Sequence, residues 1–308
     1  MDKIKSFLSN NKIEFYENFN LANVSAIKLG GQAKLVIYPK CIAEFKKIIK
    51  FLYSKKLIFR VFGNLSNILF IQDLDFPIII TNKMKLEVQI NDNLVTVSAG
   101  VMLSKFYEIL KKNNLSGLEA LSGIPATIGG AIYNNAGAFG YSISDNLISV
   151  LVFFDGKFIK LNKNDIKFGY HFSSLCGLIV LEATFLFENK KEYDIIKLFN
   201  EFTYKRNKAQ PSGLSLGSVY QKVNNLSAGF YIERCGLKGV RVGGIVVSNK
   251  HANFFINDGS GSAHDFLRLC SLVENAVLNQ YGVTLYTEIE KVGSKNEIIS
   301  RFSYPFKI

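Results

Sequence analysis

The sequence lacks any apolar run long enough to cross a membrane. A membrane-spanning helix needs on the order of 18 consecutive apolar residues, and no such run occurs. The opening stretch MDKIKSFLSNNKIEF mixes polar and apolar residues and has no apolar core of a secretion signal. We therefore expect a cytoplasmic protein without membrane insertion.

Cysteine is scarce, and its copies are scattered along the chain. They form no C-x-x-C pair and have no histidine at metal-ligand spacing, whereas zinc sites and disulfide frameworks depend on such spacing. We therefore predict no metal site and interpret all the cysteines as buried or free thiols. They are Cys41, Cys176, Cys235 and Cys270.

The common nucleotide-binding signatures and long blocks of like charge are also missing. Neither G-x-G-x-x-G nor G-x-x-x-x-G-K-[ST] occurs, which argues against a Rossmann domain and a P-loop enzyme. Lys and Arg number 37 against 25 Asp and Glu, for a formal charge of +12, but the lysines are spread thinly. The excess fits either a Lys- and Asn-rich background or binding of phosphate-bearing small molecules. We do not expect a nucleic-acid partner.

What the sequence does contain is typical of a globular protein with two domains. Of its 308 residues, 48% are hydrophobic and 20% charged. Short strand patterns alternate with amphipathic helices at 42–56 and 262–282, and a final strand is predicted at 283–293. A helical pattern that ends at Pro211 places the boundary near residue 195. We predict domains at 1–195 and 196–308.

Two turns rich in small residues each follow a predicted strand in the first domain. GNLSN begins at Gly63, and GIPATIGGAIYNNAGAFG runs from Gly123 to Gly140. Successive N–H groups in such a turn can bind an anion, and Ser66 and Asn67 could add side-chain donors. Glycine also lets a ligand approach the backbone closely. The pair of turns suits a dinucleotide cofactor, with one turn at its diphosphate and the other at its ring.

Longer segments add a family resemblance. In chain order they are GNLSNILF, GLEALSGIPATIGGAIYNNAGAFG, FGYHFSS, KRNKAQPSGLSLGSVY, AGFYIERCGLKGVRVGGIVVSNKHANFFIN and GVTLYTEIEKVG. Together they resemble the UDP-N-acetylenolpyruvoylglucosamine reductases, the MurB family of peptidoglycan synthesis, from about Ser25 to Gly293. The short segment after Tyr170 resembles the branch that lacks an extra substrate-covering insertion.

The resemblance implies an α+β fold, with an FAD-binding domain of the vanillyl-alcohol-oxidase (PCMH) type followed by a smaller α+β substrate-binding domain. It implies NADPH-dependent, FAD-mediated reduction of UDP-N-acetylenolpyruvoylglucosamine to UDP-N-acetylmuramate. Such an oxidoreductase would serve cell wall biogenesis, cell shape and cell division. We expect a monomer with NADPH as co-substrate. The alternatives are a catalytically weakened paralogue with a regulatory or scaffolding role, and a related FAD oxidoreductase with another substrate.

The resemblance also implies where the cofactor binds. No His or Cys in SGIPATIGGA offers a covalent attachment point, so we expect non-covalent FAD. GNLSN has Leu65 where the family usually has a second glycine, which suggests an altered turn. The implied cofactor-binding residues are Gly63, Asn64, Leu65, Ser66, Asn67, Ser122, Gly123, Ile124, Thr127 and Gly129.

For catalysis, the resemblance implies that Ser218 donates a proton to substrate carbon and that Glu288 lies near the substrate carboxylate. His171 stands where the family has an arginine, and we expect it to act as an imidazolium or a neutral donor. We expect Glu290 to be exposed to solvent. The implied substrate-binding residues are Tyr170, Arg206, Lys222, His251 and Asn253.

Overall fold

Helices form where apolar residues recur at helical spacing. The computed structural model describes residues 1–293, so residues 294–308 of the predicted second domain, 196–308, lie outside the described residues. The helix predicted at 42–56 spans Ile42–Ser54 and buries Phe45, Ile48 and Leu52. The helices are α1 (Asp2–Asn10), α2 (Ile42–Ser54), α3 (Leu103–Lys112), α4 (Ile128–Tyr133), α5 (Glu192–Ala209), α6 (Ala228–Arg234) and α7 (Ala263–Tyr281).

Most strands are short and lie in the first two thirds of the chain. The earlier strands are β1 (Glu14–Asn20), β2 (Gln32–Tyr38), β3 (Arg60–Phe62), β4 (Ile68–Phe70), β5 (Leu74–Ile80), β6 (Val88–Asn91), β7 (Leu94–Ser98), β8 (Leu115–Ser116), β9 (Gly137–Ala138) and β10 (Tyr141–Ser142). The later strands are β11 (Leu147–Phe154), β12 (Lys157–Asn162), β13 (Phe168–Gly169), β14 (Phe172–Ser173), β15 (Ile179–Leu186), β16 (Glu188–Asn189), β17 (Arg241–Val242), β18 (Ile245–Val247), β19 (Phe255–Asn257) and β20 (Glu290–Val292).

Two sheets build the first half. One has the order β1-β2-β5-β3, with parallel pairing of β5 to both β2 and β3. The other is antiparallel, with the order β12-β11-β15-β7-β6. Helix α2 packs on the first sheet through Phe45 and Leu52, and α3 packs on the second through Phe106, which contacts Phe185. Both sheets thus have apolar residues on a covered face.

The second half has its own core around a small sheet of order β17-β18-β19. Helix α7 covers this sheet with Phe266, Cys270, Val273 and Val277, which are buried as the helical spacing predicts. Ser262 caps the helix and Gly282 ends it in the left-handed conformation, with φ +65°.

The chain's two halves are interlocked. Strand β20 leaves the second half and pairs in parallel with β4, which lies directly after the GNLSN turn. In the other direction, Ile27 and Leu69 belong to the core of the second half, and the Asn257 Nδ2 donates to the Ile27 carbonyl at 2.8 Å. The predicted boundary at 195 lies within α5, and it stays a prediction.

The final strand is shorter than expected. Regular pairing covers Glu290–Val292 rather than 283–293, because Thr287 makes only an isolated bridge with Tyr220. The preceding residues are held by single main-chain bonds, among them Gln221 N–H to Tyr286 O at 2.9 Å. Within residues 1–293, none of the helices is both long and apolar enough to span a bilayer.

Candidate active site

A cavity of about 1210 Å³ lies where the two halves meet. This exceeds the roughly 300–1,000 Å³ typical of small-molecule sites, so it has room for a ligand of dinucleotide size. Both predicted turns form part of its wall. The predicted site residues that line it are Gly63, Asn64, Leu65, Ser66, Asn67, Gly123, Ile124, Thr127, Gly129, Tyr170, His171, Arg206, Ser218 and Glu288.

The two turns contact each other directly. A Cβ on Gly63 would collide with the Thr127 hydroxyl, so close approach of the second turn requires glycine there. The Asn64 Nδ2 donates to the Pro125 carbonyl at 2.9 Å, which fixes the first turn to the second. The sequence therefore brings the two turns together as one wall of the cavity.

Leu65 adopts the backbone conformation that a glycine would favour. Its φ is +55°, in the left-handed region, and its side chain is only 2% exposed within the core beside β4. The altered residue therefore keeps a glycine-like turn, and burial of its side chain offsets the left-handed strain.

This arrangement gives a testable order of stabilities at position 65. Both Leu65→Ala and Leu65→Gly should lower the free energy of unfolding by about 2 kcal/mol or more, because each removes a buried side chain. Leu65→Gly should be the more stable of the two by about 1 kcal/mol, since glycine tolerates the left-handed backbone. Urea denaturation of the ligand-free variants measures both differences. An alanine variant as stable as the glycine variant would contradict the assigned strain.

In the second turn, a protein contact rather than ligand approach explains one glycine. The Cβ added to Gly129 would lie 2.9 Å from the Ala99 Cβ, and the Gly129 N–H donates to the Ala99 carbonyl at 2.8 Å. Glycine at 129 thus lets α4 pack closely on Ala99, although the residue still lines the cavity. Thr127 caps α4 by accepting from the Gly130 N–H.

His171 and Glu288 form a half-buried pair in the cavity wall. The His171 Nδ1 lies 3.5 Å from the Glu288 Oε1, and the two side chains are 20% and 15% exposed. Burial raises the pKa of Glu288 to about 7. Burial, and then the nearby Lys222 charge, lower the pKa of His171 below its ordinary value. Near neutral pH, the imidazole is therefore mainly neutral.

The Glu288 main chain is held by two hydrogen bonds, and its carboxyl group has one oxygen available to a ligand. Its N–H donates to the Val219 carbonyl at 2.7 Å, and its own carbonyl accepts from the Asn67 Nδ2 at 3.2 Å. Its Oε2 is buried and has no hydrogen-bond partner among residues 1–293. A buried polar atom of this kind is expected to bind a ligand group or water.

Ser218 lies in a strand-like segment that the second half holds firmly. It bridges to Phe254, and the next residue, Val219, donates its N–H to the Asn253 carbonyl at 2.9 Å. Gly217 precedes it with φ +79°, and a Cβ there would meet nothing within 4 Å. The serine therefore lines an open part of the cavity on a fixed backbone.

Of the cations predicted to bind substrate, Arg206 lines the cavity and Lys222 lies beside a residue that does. The Arg206 Nη2 donates to the Ala120 carbonyl at 3.0 Å, and its Nε is 2.7 Å from where a Cβ on Gly123 would be. The Lys222 Nζ lies 4.7 Å from the centre of the Tyr170 ring, although Lys222 itself does not line the cavity.

Three other predicted site residues do not line the cavity. The Ser122 hydroxyl donates to the Glu119 carbonyl at 2.9 Å. The His251 Nδ1 accepts from the Asn253 N–H at 3.2 Å. The Asn253 side chain binds the Tyr220 backbone, accepting from its N–H at 3.0 Å and donating to its carbonyl at 2.8 Å. Asn253 therefore positions the segment that carries Ser218, and the predicted ligand contacts of these residues stay predictions.

The expectation for Glu290 was wrong. Its side chain is 17% exposed, lines the cavity and forms an ion pair with Arg60, which also lines the cavity and is 15% exposed. Side chains two positions apart in extended backbone point to the same side, so Glu290 faces the cavity together with Glu288. Arg60 was not among the predicted site residues; the available signal was a charge within the apolar strand IFRVF.

Comparisons with known proteins agree with this architecture. A family model of the UDP-N-acetylenolpyruvoylglucosamine reductase C-terminal domain matches residues 209–292, and an FAD binding domain model matches residues 33–162. The reductase of Fervidobacterium nodosum is 37% identical over 295 residues, covering 94% of this chain and 95% of the relative. The reductase of Caldicellulosiruptor saccharolyticus is 37% identical over 299 residues, covering 94% and 96%. The chain belongs to the UDP-N-acetylenolpyruvoylglucosamine reductase, or MurB, family.

A solved structure supports the same assignment. The crystal structure of MurB from Thermus caldophilus superposes with a TM-score of 0.77 at 31% identity, covering 91% of this chain and 98% of that protein. The family resemblance and the α+β fold with an FAD-binding PCMH-type domain are thereby confirmed. Within this family, the present chain carries His171 and Leu65 at the positions where the sequence analysis expected arginine and glycine.

The first turn fits the diphosphate of FAD. The N–H groups of residues 64–67 donate to no acceptor within residues 1–293, so they are available to a ligand. Leu65 among them is left-handed, a conformation typical of turns whose successive N–H groups bind an anion. The neighbouring wall contributes the Thr127 hydroxyl group from the second turn, which accepts from the Gly130 N–H. This chain therefore has hydrogen-bond donors that fit the diphosphate of FAD.

Proposed function

We propose that this chain reduces UDP-N-acetylenolpyruvoylglucosamine to UDP-N-acetylmuramate with NADPH. The observation that carries the proposal is the presence of Ser218 and the His171–Glu288 pair in the same cavity as the turn 63–67. A regulatory or scaffolding paralogue would not need to keep this set together. The family membership argues in the same direction.

The site would hold the cofactor through the turns 63–67 and 123–130. The hydride chemistry between NADPH and the enolpyruvyl double bond is supplied by FAD when it is bound. The contribution of the chain is to orient the substrate and to place an acid beside the second carbon of that double bond. NADPH is oxidised to NADP⁺, and the double bond gains one hydride and one proton.

Ser218 is the proposed donor of that proton. Addition of hydride at one carbon makes the neighbouring carbon strongly basic, so even a weakly acidic hydroxyl group can protonate it when held in place. The bridge to Phe254 and the bond from Val219 to Asn253 provide this positioning. The serine then regains its proton from water.

Glu288 and His171 are proposed to bind the substrate carboxylate in a neutral form. A protonated Glu288 can donate a hydrogen bond to the carboxylate, whereas an ionised Glu288 would repel it. Burial favours the protonated form up to a pH of about 7. Because the pKa of His171 is lowered, its role as a neutral donor is favoured over the imidazolium.

The remaining predicted residues are proposed to bind the UDP-sugar. Arg206 offers a guanidinium to the substrate diphosphate. Tyr170 lines the cavity beside His171, and its ring lies next to the Lys222 ammonium group. His251 and Asn253 act on that side through the segment they position. We further propose that the protein works in the cytoplasm as a monomer.

This function predicts a yellow protein with non-covalent FAD. Acid precipitation should release the flavin into the supernatant, because no cysteine or histidine stands within the turn 123–130 as an attachment point. NADPH consumption should be fast only when the enolpyruvyl substrate is added. Flavin that stays with the pellet would contradict non-covalent binding, and consumption that ignores the substrate would contradict the proposed reaction.

A further inference from the structure

The ion pair between Arg60 and Glu290 lies in the cavity wall rather than on the outer surface. Its side chains are 15% and 17% exposed. The Tyr133 ring from α4 is close by, since both charges influence its pKa, which is raised mainly by burial. Arg60, Tyr133 and Glu290 all line the cavity. The pair therefore joins strands β3 and β20 close to helix α4, which lies within the second turn segment.

The cavity is expected to receive two diphosphates, one from FAD and one from the UDP-sugar. Each carries two negative charges, which arginine neutralises well because its guanidinium donates in a fixed fork. Among residues 1–293, the cationic side chains that line the cavity are Arg60, Arg206 and His171. His171 is mainly neutral near neutral pH, because burial lowers its pKa. Arg60 and Arg206 are therefore the two permanent cations in the wall.

Of these two arginines, Arg60 is tied to the first turn. It begins the strand that leads into Gly63. Its partner Glu290 donates its N–H to the carbonyl of Asn67, the last residue of the turn, at 2.9 Å. Arg206, by contrast, contacts the second turn at Gly123 and binds Ala120. Arg60 is thus linked to the start of the turn through its own strand and to the end of the turn through Glu290. The N–H groups of this turn donate to no acceptor in the part of the chain that the structure describes.

We infer that Arg60 donates to the FAD diphosphate beside the N–H groups of residues 64–67, and that Glu290 positions its guanidinium for this contact. Arg206 is then left for the diphosphate of the UDP-sugar. The assignment rests on the proposed flavin function. A guanidinium carries five N–H donors, so Arg60 can bind Glu290 and a ligand in the cavity at the same time.

Binding of FAD and riboflavin to the ligand-free protein tests this assignment, because riboflavin carries the ring without the diphosphate. Arg60→Gln should weaken FAD binding about tenfold or more, the usual loss for a charged hydrogen bond, and should leave riboflavin binding within about twofold. Its FAD affinity should also depend less on ionic strength. Arg206→Gln is the matched control, and it should retain FAD affinity while weakening binding of the UDP-sugar. Quenching of flavin fluorescence gives the dissociation constants.

Two further variants show whether Arg60 contacts FAD, only neutralises the charge of Glu290, or only supports the structure of the site. Glu290→Gln keeps a side-chain oxygen that accepts from the Arg60 guanidinium, so it should retain both the positioning of Arg60 and the FAD affinity. The double variant Arg60→Gln/Glu290→Gln should stay as weak as Arg60→Gln. Recovery of FAD affinity in the double variant would overturn the contact, because Arg60 would then only neutralise Glu290. Equal weakening by Glu290→Gln, or loss of riboflavin binding in Arg60→Gln, would overturn it in favour of a structural tie. Wild-type protein that binds neither flavin would instead refute the flavin function itself.

Discussion

Replacement of Ser218 by alanine should slow reduction of the enolpyruvyl substrate by about a hundredfold or more, the usual loss for a general acid. Bleaching of the flavin absorbance by NADPH should continue at the wild-type rate, because that step needs no proton on substrate carbon. Stopped-flow absorbance separates the two steps, since NADPH bleaches the flavin and the enolpyruvyl substrate restores its colour.

The matched control is Ser212→Ala, which changes an exposed serine in the same loop that does not line the cavity. Both of its steps should keep wild-type rates. A Ser218→Ala variant in which bleaching and recovery slow equally would show that the serine supports the structure of the site rather than the proton transfer.

The second large effect should appear in the pH dependence of stability. Burial raises the pKa of Glu288 from 4.5 to about 7 in the folded protein. A difference of this size corresponds to about 3 kcal/mol. Because the folded pKa is the higher one, this stabilisation is fully present below 4.5, falls as the pH rises, and is lost once the pH has passed about 7.

The difference in unfolding free energy between wild type and Glu288→Gln isolates this contribution. Wild type should lose about 3 kcal/mol relative to the variant between pH 4.5 and pH 8. His171 is present in both proteins. Its lowered pKa reduces the stability of each of them as the pH falls below 6.5. Glu188→Gln is the control, since that side chain is 74% exposed and should show little pH-dependent difference. A flat difference for Glu288→Gln would contradict the raised pKa.

Local patterns predicted helices α2 and α7 and the first turn well, whereas α1 was not predicted and the segment predicted as the second turn, 123–140, contains helix α4. Helical spacing in α2 and α7 and the small residues in GNLSN and GIPATIGG report on contacts within a short piece of chain. The strands β11 and β15 were not predicted. Their sequences, LISVLVFF and IVLEATFL, bury residues on both faces in places, so the alternation that identifies a half-exposed strand is weak.

The sequence predicted some of the site residues and missed some of the contacts between them. The family resemblance implied Ser218, His171 and Glu288 as site residues, and the structure places them in the same cavity as the turns. It did not reveal the pairing of Arg60 with Glu290, because those residues are 230 positions apart and nothing in either local sequence specifies the other. Spacing likewise could not show that Ala99, rather than a ligand, requires glycine at 129.

The pairing of β20 with β4 also has a consequence for the order in which a newly made chain can become active. The ribosome releases the turn 63–67 early, but the strand that pairs with β4 and the backbone groups that bind Asn67 come from residues 288–292. Domains made first usually fold first during synthesis. Here the cofactor-binding wall can be completed only after almost the whole chain has emerged, so a nascent chain stopped at residue 195 should not acquire a complete flavin site.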